Sequence, residues 1–494
     1  MPAPWDRIDA IPTALGAPPP DVGVSGLFPA QLQFLSALVE AGTTGEDGRR
    51  GVLGVMGCGS GKTLALQLAP RVWECRRPLL IAPANLLPQA EREARAFSVD
   101  PLPALSYGKL SHPSGLRLLT AAEPDLLLLD EAHILGKGAR MRRLWAYIVR
   151  NPQVAVIAVT GSPIDRSLRD LAAMAELSLR DWSPLPIEPS ALDQWCSVHD
   201  PGGEPSALDW SAVGPYRSMD SIVGRLRTIP GVVMAPGRVA AGVSLRLWLD
   251  PGLPTPSLDS WELPDGTELV DAIEVARHRS TLRLGFWQDL EGGEEWRDAR
   301  SAWAREGRRM VEHGGADTMH FAAERAKAGK APHSAVMAWH RWAHVRKSCA
   351  PPVRETHWID RSFLAGVLAA AKESPHPTVV FAHSKEVFDE AERTGYPVHR
   401  AGGDTPPDQQ LIVASNAYRR GWNGHHYSNV VVLQPPRSPR RMEQLLSRQH
   451  RERQTRDVNA TLIMTAQERF ILTRTNKMLH GTTPTRWAVA DWMN

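Results

Sequence analysis

Met56-Gly57-Cys58-Gly59-Ser60-Gly61-Lys62-Thr63 places three glycines, a lysine and two hydroxyls within eight residues. Glycines let the backbone wrap closely, so that successive amides point at phosphate oxygens, and a helix starting there adds partial positive charge. Lys62 would then reach the outer phosphates of a triphosphate, and the Thr63 hydroxyl would bind Mg²⁺. The strict phosphate-loop spacing has glycine at position 56, where this chain has methionine. A second signal lies 68 residues beyond Lys62, where Asp130-Glu131-Ala132-His133 directly follows four leucines. A carboxylate ending an apolar strand suits the metal shell of a phosphate-loop NTPase. Asp130 is expected to hold the metal through water, and Glu131 to orient or deprotonate the attacking water. A third signal is basic: residues 437–456 hold seven arginines against Glu443 and Glu452. On a helix, Gln444, Arg448 and Arg451 fall at i, i+4 and i+7, one face carrying two guanidiniums that suit a triphosphate.

These groups need rigid elements to position them. Eight short, nearly uninterrupted apolar runs have the pattern of strands buried on both faces of a parallel sheet. Four come early, at Gly51–Met56, Pro78–Ala82, Asp125–Leu129 and Val154–Val159. Four come late, at Thr378–Ala382, Leu411–Ser415, Asn429–Leu433 and Asn459–Met464. Helical patterns alternate with them, including Leu64–Ala69, Glu91–Phe97 and Phe363–Ala371, so the expected fold is α/β with two parallel-sheet domains.

The segment between these regions differs in character. Prolines crowd its first part, and its second part, about 270–345, is polar and helical with Trp287, Trp296, Trp303, Trp339 and Trp342. Tryptophans at near-helical spacing are read as core. Arg283, Arg297, Arg300, Arg305, Arg308 and Arg309 interleave with them and admit two readings. They form a phosphate-and-stacking surface, or Glu291, Glu294, Glu295 and Asp298 neutralise them in surface pairs.

Composition bounds the class. A length of 494 residues implies two or three domains, and 43% hydrophobic with 22% charged residues is ordinary globular usage. A disordered tail protein, a collagen and a coiled coil are excluded. The net charge of +3 forces no nucleic-acid partner, yet arginine outnumbers lysine 48 to nine and Trp (17) exceeds Phe (9) plus Tyr (6). Codon bias accounts for much of such an arginine excess. Four scattered cysteines, Cys58, Cys75, Cys196 and Cys349, argue against a disulfide scaffold or zinc ribbon and fit a reducing compartment. The start lacks the apolar region of a signal peptide, and no apolar run approaches the roughly 20 residues of a membrane span. A cytoplasmic location is expected, with no membrane partner.

With these residues in order, the chain resembles superfamily 2 helicases and translocases. Gly57–Thr63 and Asp130–His133 are similar to motifs I and II in the DEAH spelling. Leu27-Phe28-Pro29-Ala30-Gln31 resembles the Q-motif, which implies that Gln31 reads adenine. Residues 82–89 (APANLLPQ) resemble motif Ia, which sets Pro83 near a nucleic-acid backbone. Val159-Thr160-Gly161-Ser162-Pro163 resembles motif III in its T-G-T-P form, with Ser162 replacing threonine. Residues 379–390 resemble motif IV. Residues 415–423 resemble motif V, drawing in Ser415 and Gly421, with Trp422 where leucine is usual. Residues 444–454 resemble motif VI, so that Gln444 couples, Arg451 is the arginine finger and Arg448 stands beside it. The T-G-S-P form and Gln454 are similar to the Swi/Snf-type DNA translocases, although Arg453 stands where that branch has glycine.

The resemblance implies two RecA-like domains of the P-loop NTPase class. The first motor domain would span 25–175 and the second 375–475. A partly helical insertion at 176–374 would separate them, with an extension at 1–24 and a tail at 476–494. ATP and Mg²⁺ would be held at the cleft by Gly57, Gly59, Ser60, Gly61, Lys62, Thr63, Asp130 and Gly421, with the motif VI arginines. Nucleic acid is the implied partner, DNA over RNA, and 176–374 is the implied seat of any protein partner. A non-hydrolysing, ATP-switched DNA-binding or loading subunit and an RNA helicase are the alternatives. The coding style suggests a bacterial or phage-infected cell.

Overall fold

The computed structural model describes residues 27, 29–41, 51–57, 60–97, 99–135, 138–161, 163–164, 167–200, 203–235, 243–249, 263, 278, 280–291, 293–312, 315–316, 319–400, 408–416, 422, 424–436, 439–446, 448–449, 454 and 456–464. The chain divides into two units, at 238/239.

In the first unit the apolar runs become strands β1 (Gly51–Met56), β2 (Pro78–Ala82), β3 (Ala104–Ser106), β4 (Leu126–Asp130), β5 (Ala155–Thr160) and β6 (Val232–Ala235). Among the described residues they form one parallel sheet in the order β3-β2-β4-β5-β1-β6. Side chains alternate across a strand, and here both faces are covered. Leu53, Val55, Leu127, Leu129, Val156 and Ala158 join a core with Leu144, Ile148 and Leu171 on one face. Val52, Met56, Leu128, Ile157 and Val159 join Phe34, Leu38, Leu66 and Leu68 on the other. Each such aliphatic side chain contributes roughly 1.5–3 kcal/mol when fully buried, so apolar residues are needed at every position and no polar-out alternation appears.

The first unit is longer than the motifs imply. Leu177, Leu179, Leu185, Trp195, Ile222 and Leu226 belong to the same core as Leu53. Asp200 accepts from Leu168 N at 2.8 Å and Ser167 Oγ at 2.6 Å, tying the proline-rich stretch to the helix Leu168–Leu179. Strand β6 pairs with β1, with Met56 opposite Ala235. The expected single insertion at 176–374 is therefore divided: its first third completes the first sheet and the rest belongs to the second unit. Val232–Ala235 is short and lies outside any recognisable motif, so only its pairing identifies it.

The second unit holds β7 (Val243–Leu249), β8 (Phe286–Glu291), β9 (Val353–Trp358), β10 (Thr378–Ala382), β11 (Val398–His399), β12 (Leu411–Ser415), β13 (Asn429–Val432) and β14 (Val458–Met464). Its parallel sheet runs β11-β12-β10-β13-β14-β7, and β8 pairs antiparallel with β9. Three helices, Glu294–Glu312, Met319–Lys327 and His333–Ser348, lie between β8 and β9 in the chain. Of their tryptophans Trp303 is buried core, while Trp339 and Trp342 are half-buried against that core; Trp296, also half-buried, meets Trp342 edge-on at 4.7 Å, and Trp303 meets Trp339 at 5.0 Å. Arg300 lies over Trp296 and Arg346 over Trp339, each ring covered by a guanidinium.

Of the six arginines read as a phosphate-and-stacking surface, Arg283 does not belong to any surface. It is fully buried, and its two Nη atoms donate to Ile463 O at 2.9 Å and Leu433 O at 2.7 Å. A guanidinium committed to two carbonyls at neighbouring strand ends is unavailable to a ligand. Among the described residues, no helix is long and apolar enough to cross a membrane.

Removing this brace takes a charged donor from each of two carbonyls and leaves a cavity in a buried site. Arg283→Ala is expected to destabilise the protein by about 3 kcal/mol, since hydrogen bonds to charged groups are the strong ones. Chemical denaturation followed by tryptophan fluorescence checks this, and an unchanged midpoint contradicts it.

Candidate active site

Strand β1 ends at Met56, and the loop after it is tied down at both ends. Gly57 N donates to Ala235 O at 2.9 Å, so the late strand β6 sets where the loop begins. Gly61 closes it in the left-handed region, φ 72° and ψ 31°, a conformation that costs a non-glycine residue roughly 1–2 kcal/mol. From there the helix Lys62–Trp73 starts, Ala65 N donating to Gly61 O at 3.1 Å. Gln31 Nε2 donates to the same carbonyl at 3.1 Å, and Gln31 is buried. The glutamine expected at the base is thus also a brace on the loop. Lys62 Nζ donates to Gly57 O at 3.4 Å, which holds the ammonium against the loop. Ser60 Oγ is buried without a hydrogen-bond partner among the described residues. Cys58 and Gly59 lie outside those residues.

The acidic pair arrives from the other side of one strand. Strand β5 lies between β1 and β4, and the register puts Thr160 opposite Val55 and Asp130 opposite Val159. The carboxyl ends of all three strands are therefore level, which is where parallel sheets bind ligands. Asp130, the last residue of β4, is buried; its Oδ2 accepts from Thr63 Oγ1 at 3.4 Å and its Oδ1 from Glu131 N at 2.9 Å. Burial first, then the neighbouring Glu131 charge, pushes the Asp130 carboxyl up to about 7, against the opposing pull of Lys62. Glu131 adopts φ 51°, rare for a residue with a side chain. Its Oε2 lies 3.3 Å from His133 Nδ1, which lies 2.8 Å from Thr160 Oγ1. Thr160 is fully buried and Gly161 follows it in the core. Pro83 sits buried at the carboxyl end of β2, its carbonyl accepting from Leu86 N at 2.9 Å.

Sequence reasoning missed Tyr107. It is buried directly after β3, and its hydroxyl donates to Asp130 O at 2.9 Å. No local spacing connects positions 107 and 130; only the strand order brings them together.

In the second unit, Ser415 ends β12 and is buried. The next residue, Asn416, donates to Gln434 O at 2.8 Å, and Gln434 Oε1 accepts from His383 N and Ser384 N at 3.0 and 2.9 Å. Trp422 is buried between Phe381 and Tyr427, ring centroids 6.1 and 5.6 Å away, which accounts for an aromatic where leucine was expected. Gln444 lies buried near the end of the helix Pro439–Leu446. Gln444 and Arg448 do not share one helix as expected, and Arg451 lies outside the described residues. The helix stops at Leu446, Arg448 N turns back to Leu445 O at 3.3 Å, and Arg448 O accepts from Gly424 N at 3.0 Å. Gln454 is buried and its amide donates to His425 O at 2.8 Å and Tyr427 O at 3.2 Å, bracing that loop. Gly421, Arg451, Arg453 and Ser162 lie outside the described residues.

Thr63 Oγ1 and the Asp130 carboxylate are adjacent hard oxygen donors, and they fit Mg²⁺ held by few protein ligands alongside phosphate oxygens. Comparison with protein-family models finds no match, and no curated protein matches the chain.

A raised Asp130 pKa fixes the sign of two pH effects. The folded state binds this proton more tightly than the unfolded chain, so its stabilising contribution is fully present below the ordinary pKa of 3.8 and is lost as pH rises to about 7. Metal competes with the same proton. Mg²⁺ affinity is expected to rise about tenfold per pH unit from pH 5.5 toward 7 and then level off. Thermal-shift titrations with MgCl₂ at several pH values check it; equal affinity at pH 5.5 and 7.5, or the same slope in Asp130→Asn, contradicts it.

Proposed function

We propose that the chain is an ATP-dependent nucleic-acid translocase or helicase built on two RecA-like domains, with DNA as its track. The observation that carries the reading is the meeting of Gly61-Lys62-Thr63 with Asp130-Glu131 at the carboxyl end of one sheet, where Thr63 Oγ1 and Asp130 Oδ2 lie 3.4 Å apart. A glycine-hinged loop, a lysine and a hydroxyl entering a helix, opposite a strand-end carboxylate pair, is the equipment of triphosphate hydrolysis.

In this reading, the loop amides and the start of the helix Lys62–Trp73 hold the phosphates, and Lys62 leaves Gly57 O for the outer phosphate oxygens. Thr63 and Asp130 hold Mg²⁺, which supplies positive charge to the triphosphate. Glu131 orients the attacking water and accepts its proton. His133 joins Glu131 to Thr160, so a change at the hydrolytic carboxylate is felt at the end of β5, where the T-G-S-P stretch begins. The resemblance assigns Arg448 and Arg451 a part in hydrolysis as well. The nucleic-acid track rests on the ordered motif series, and the preference for DNA on the T-G-S-P form and Gln454.

Phosphate release measured with no nucleic acid, single-stranded DNA, duplex DNA and RNA in parallel tests the proposal. DNA is expected to stimulate release, and Lys62→Ala and Glu131→Gln each to lower it by at least about 100-fold. Absence of release by the wild type under all four conditions sinks the reading, as does undiminished release in both variants. ATP binding with salt-sensitive DNA affinity and no turnover would favour the ATP-switched loading subunit instead.

A further inference from the structure

We infer that Tyr107 is a positioning residue for the hydrolytic carboxylate Glu131, acting through the backbone carbonyl of Asp130. The inference rests on the proposed hydrolytic role of the Asp130-Glu131 pair and adds a residue that no motif supplies.

The geometry is specific. Asp130 O belongs to the peptide that joins the two acids, and Tyr107 Oη donates to it at 2.9 Å from a fully buried position. On the far side of that peptide, Glu131 N is held by Asp130 Oδ1 at 2.9 Å. Both polar atoms of one peptide plane are thus anchored at the point where the chain leaves β4. The residue that follows is the one at φ 51°. A left-handed glutamate is strained and persists only where its surroundings over-determine it. The Tyr107 bond is one of those determinants, and the carboxylate it directs is the group that must orient water.

The anchor is itself fixed. Ser106 Oγ accepts from Lys109 N at 3.2 Å, capping the short helix Tyr107–Ser111. Arg143 Nη1, from the helix Ala139–Arg150 that follows the acidic pair, donates to Leu110 O at 2.8 Å and also to Ser111 O. The same arginine-bearing helix thus holds the turn that carries Tyr107. Burial, together with the charges of Asp130 and Glu131, holds the phenol well above its ordinary pKa, so it stays a donor throughout the working range.

Tyr107→Phe keeps the ring and removes only the donor. With ATP and Mg²⁺, the variant is expected to lose about tenfold in kcat with KM within twofold of wild type, because the phosphate loop is untouched. Amide exchange over residues 131–134, followed by mass spectrometry without nucleotide, is expected to quicken at least tenfold while exchange in β1 stays slow. Wild-type kcat, or a KM that rises in step with a fall in melting temperature, overturns the inference. Unchanged exchange at 131–134 overturns it whether or not the protein hydrolyses ATP. Absence of turnover in the wild type counts against the hydrolytic reading, and the exchange result then still decides the anchoring.

Discussion

Everything chemical in the first unit depends on one constraint: the carboxyl ends of β1, β5 and β4 stand level in one parallel sheet. Neighbouring strands are about 4.8 Å apart, so the phosphate loop and the acidic pair begin roughly 10 Å from each other, two strand spacings. The gap is closed at the very start of the helix entered through Gly61, where its second residue, Thr63, lands against Asp130. Sliding either pairing by one residue would turn Asp130 to the other face and break the meeting. The apolar runs that look like simple core are therefore what aims the charges.

That arrangement is paid for locally in strain and in buried charge. Gly61 carries the left-handed turn at no steric cost, but Glu131 carries one with a full side chain. Asp130 is buried beside another acid, with Lys62 as the opposing charge. Such a pair is poorly satisfied until a cation joins it, which is the condition expected of a metal-binding carboxylate. Around it, Tyr107, His133, Thr160 and Gln31 anchor backbone and side chains at the same end of the sheet, and β6 fixes the entry of the loop through Ala235 O.

Much of this was legible in the chain because buried parallel strands leave an unmistakable trace. The expected runs and the observed strands agree to within one residue, from Gly51–Met56 to Val458–Met464. Gly57–Thr63 and Asp130-Glu131 were readable because their chemistry is concentrated in a few adjacent residues. What stayed hidden is non-local. Val232–Ala235 is too short to declare itself, and Val243–Leu249 carries an arginine within its apolar pattern. Arg283 looked like surface charge, since nothing nearby in sequence shows that the carbonyls of Leu433 and Ile463 await it. The helical face drawn through Gln444 and Arg448 failed because periodicity does not report where a helix stops, and this one ends at Leu446.

The central claim is that Thr63 and Asp130 act as one site for a magnesium-bound triphosphate. A double-mutant cycle with Thr63→Ala and Asp130→Asn, read by calorimetric titration of ATP with and without Mg²⁺, tests it most directly. The account predicts that the two losses overlap by at least about 1 kcal/mol when Mg²⁺ is present and become independent without it. Additive losses in Mg²⁺, or affinity untouched by either substitution, would contradict it.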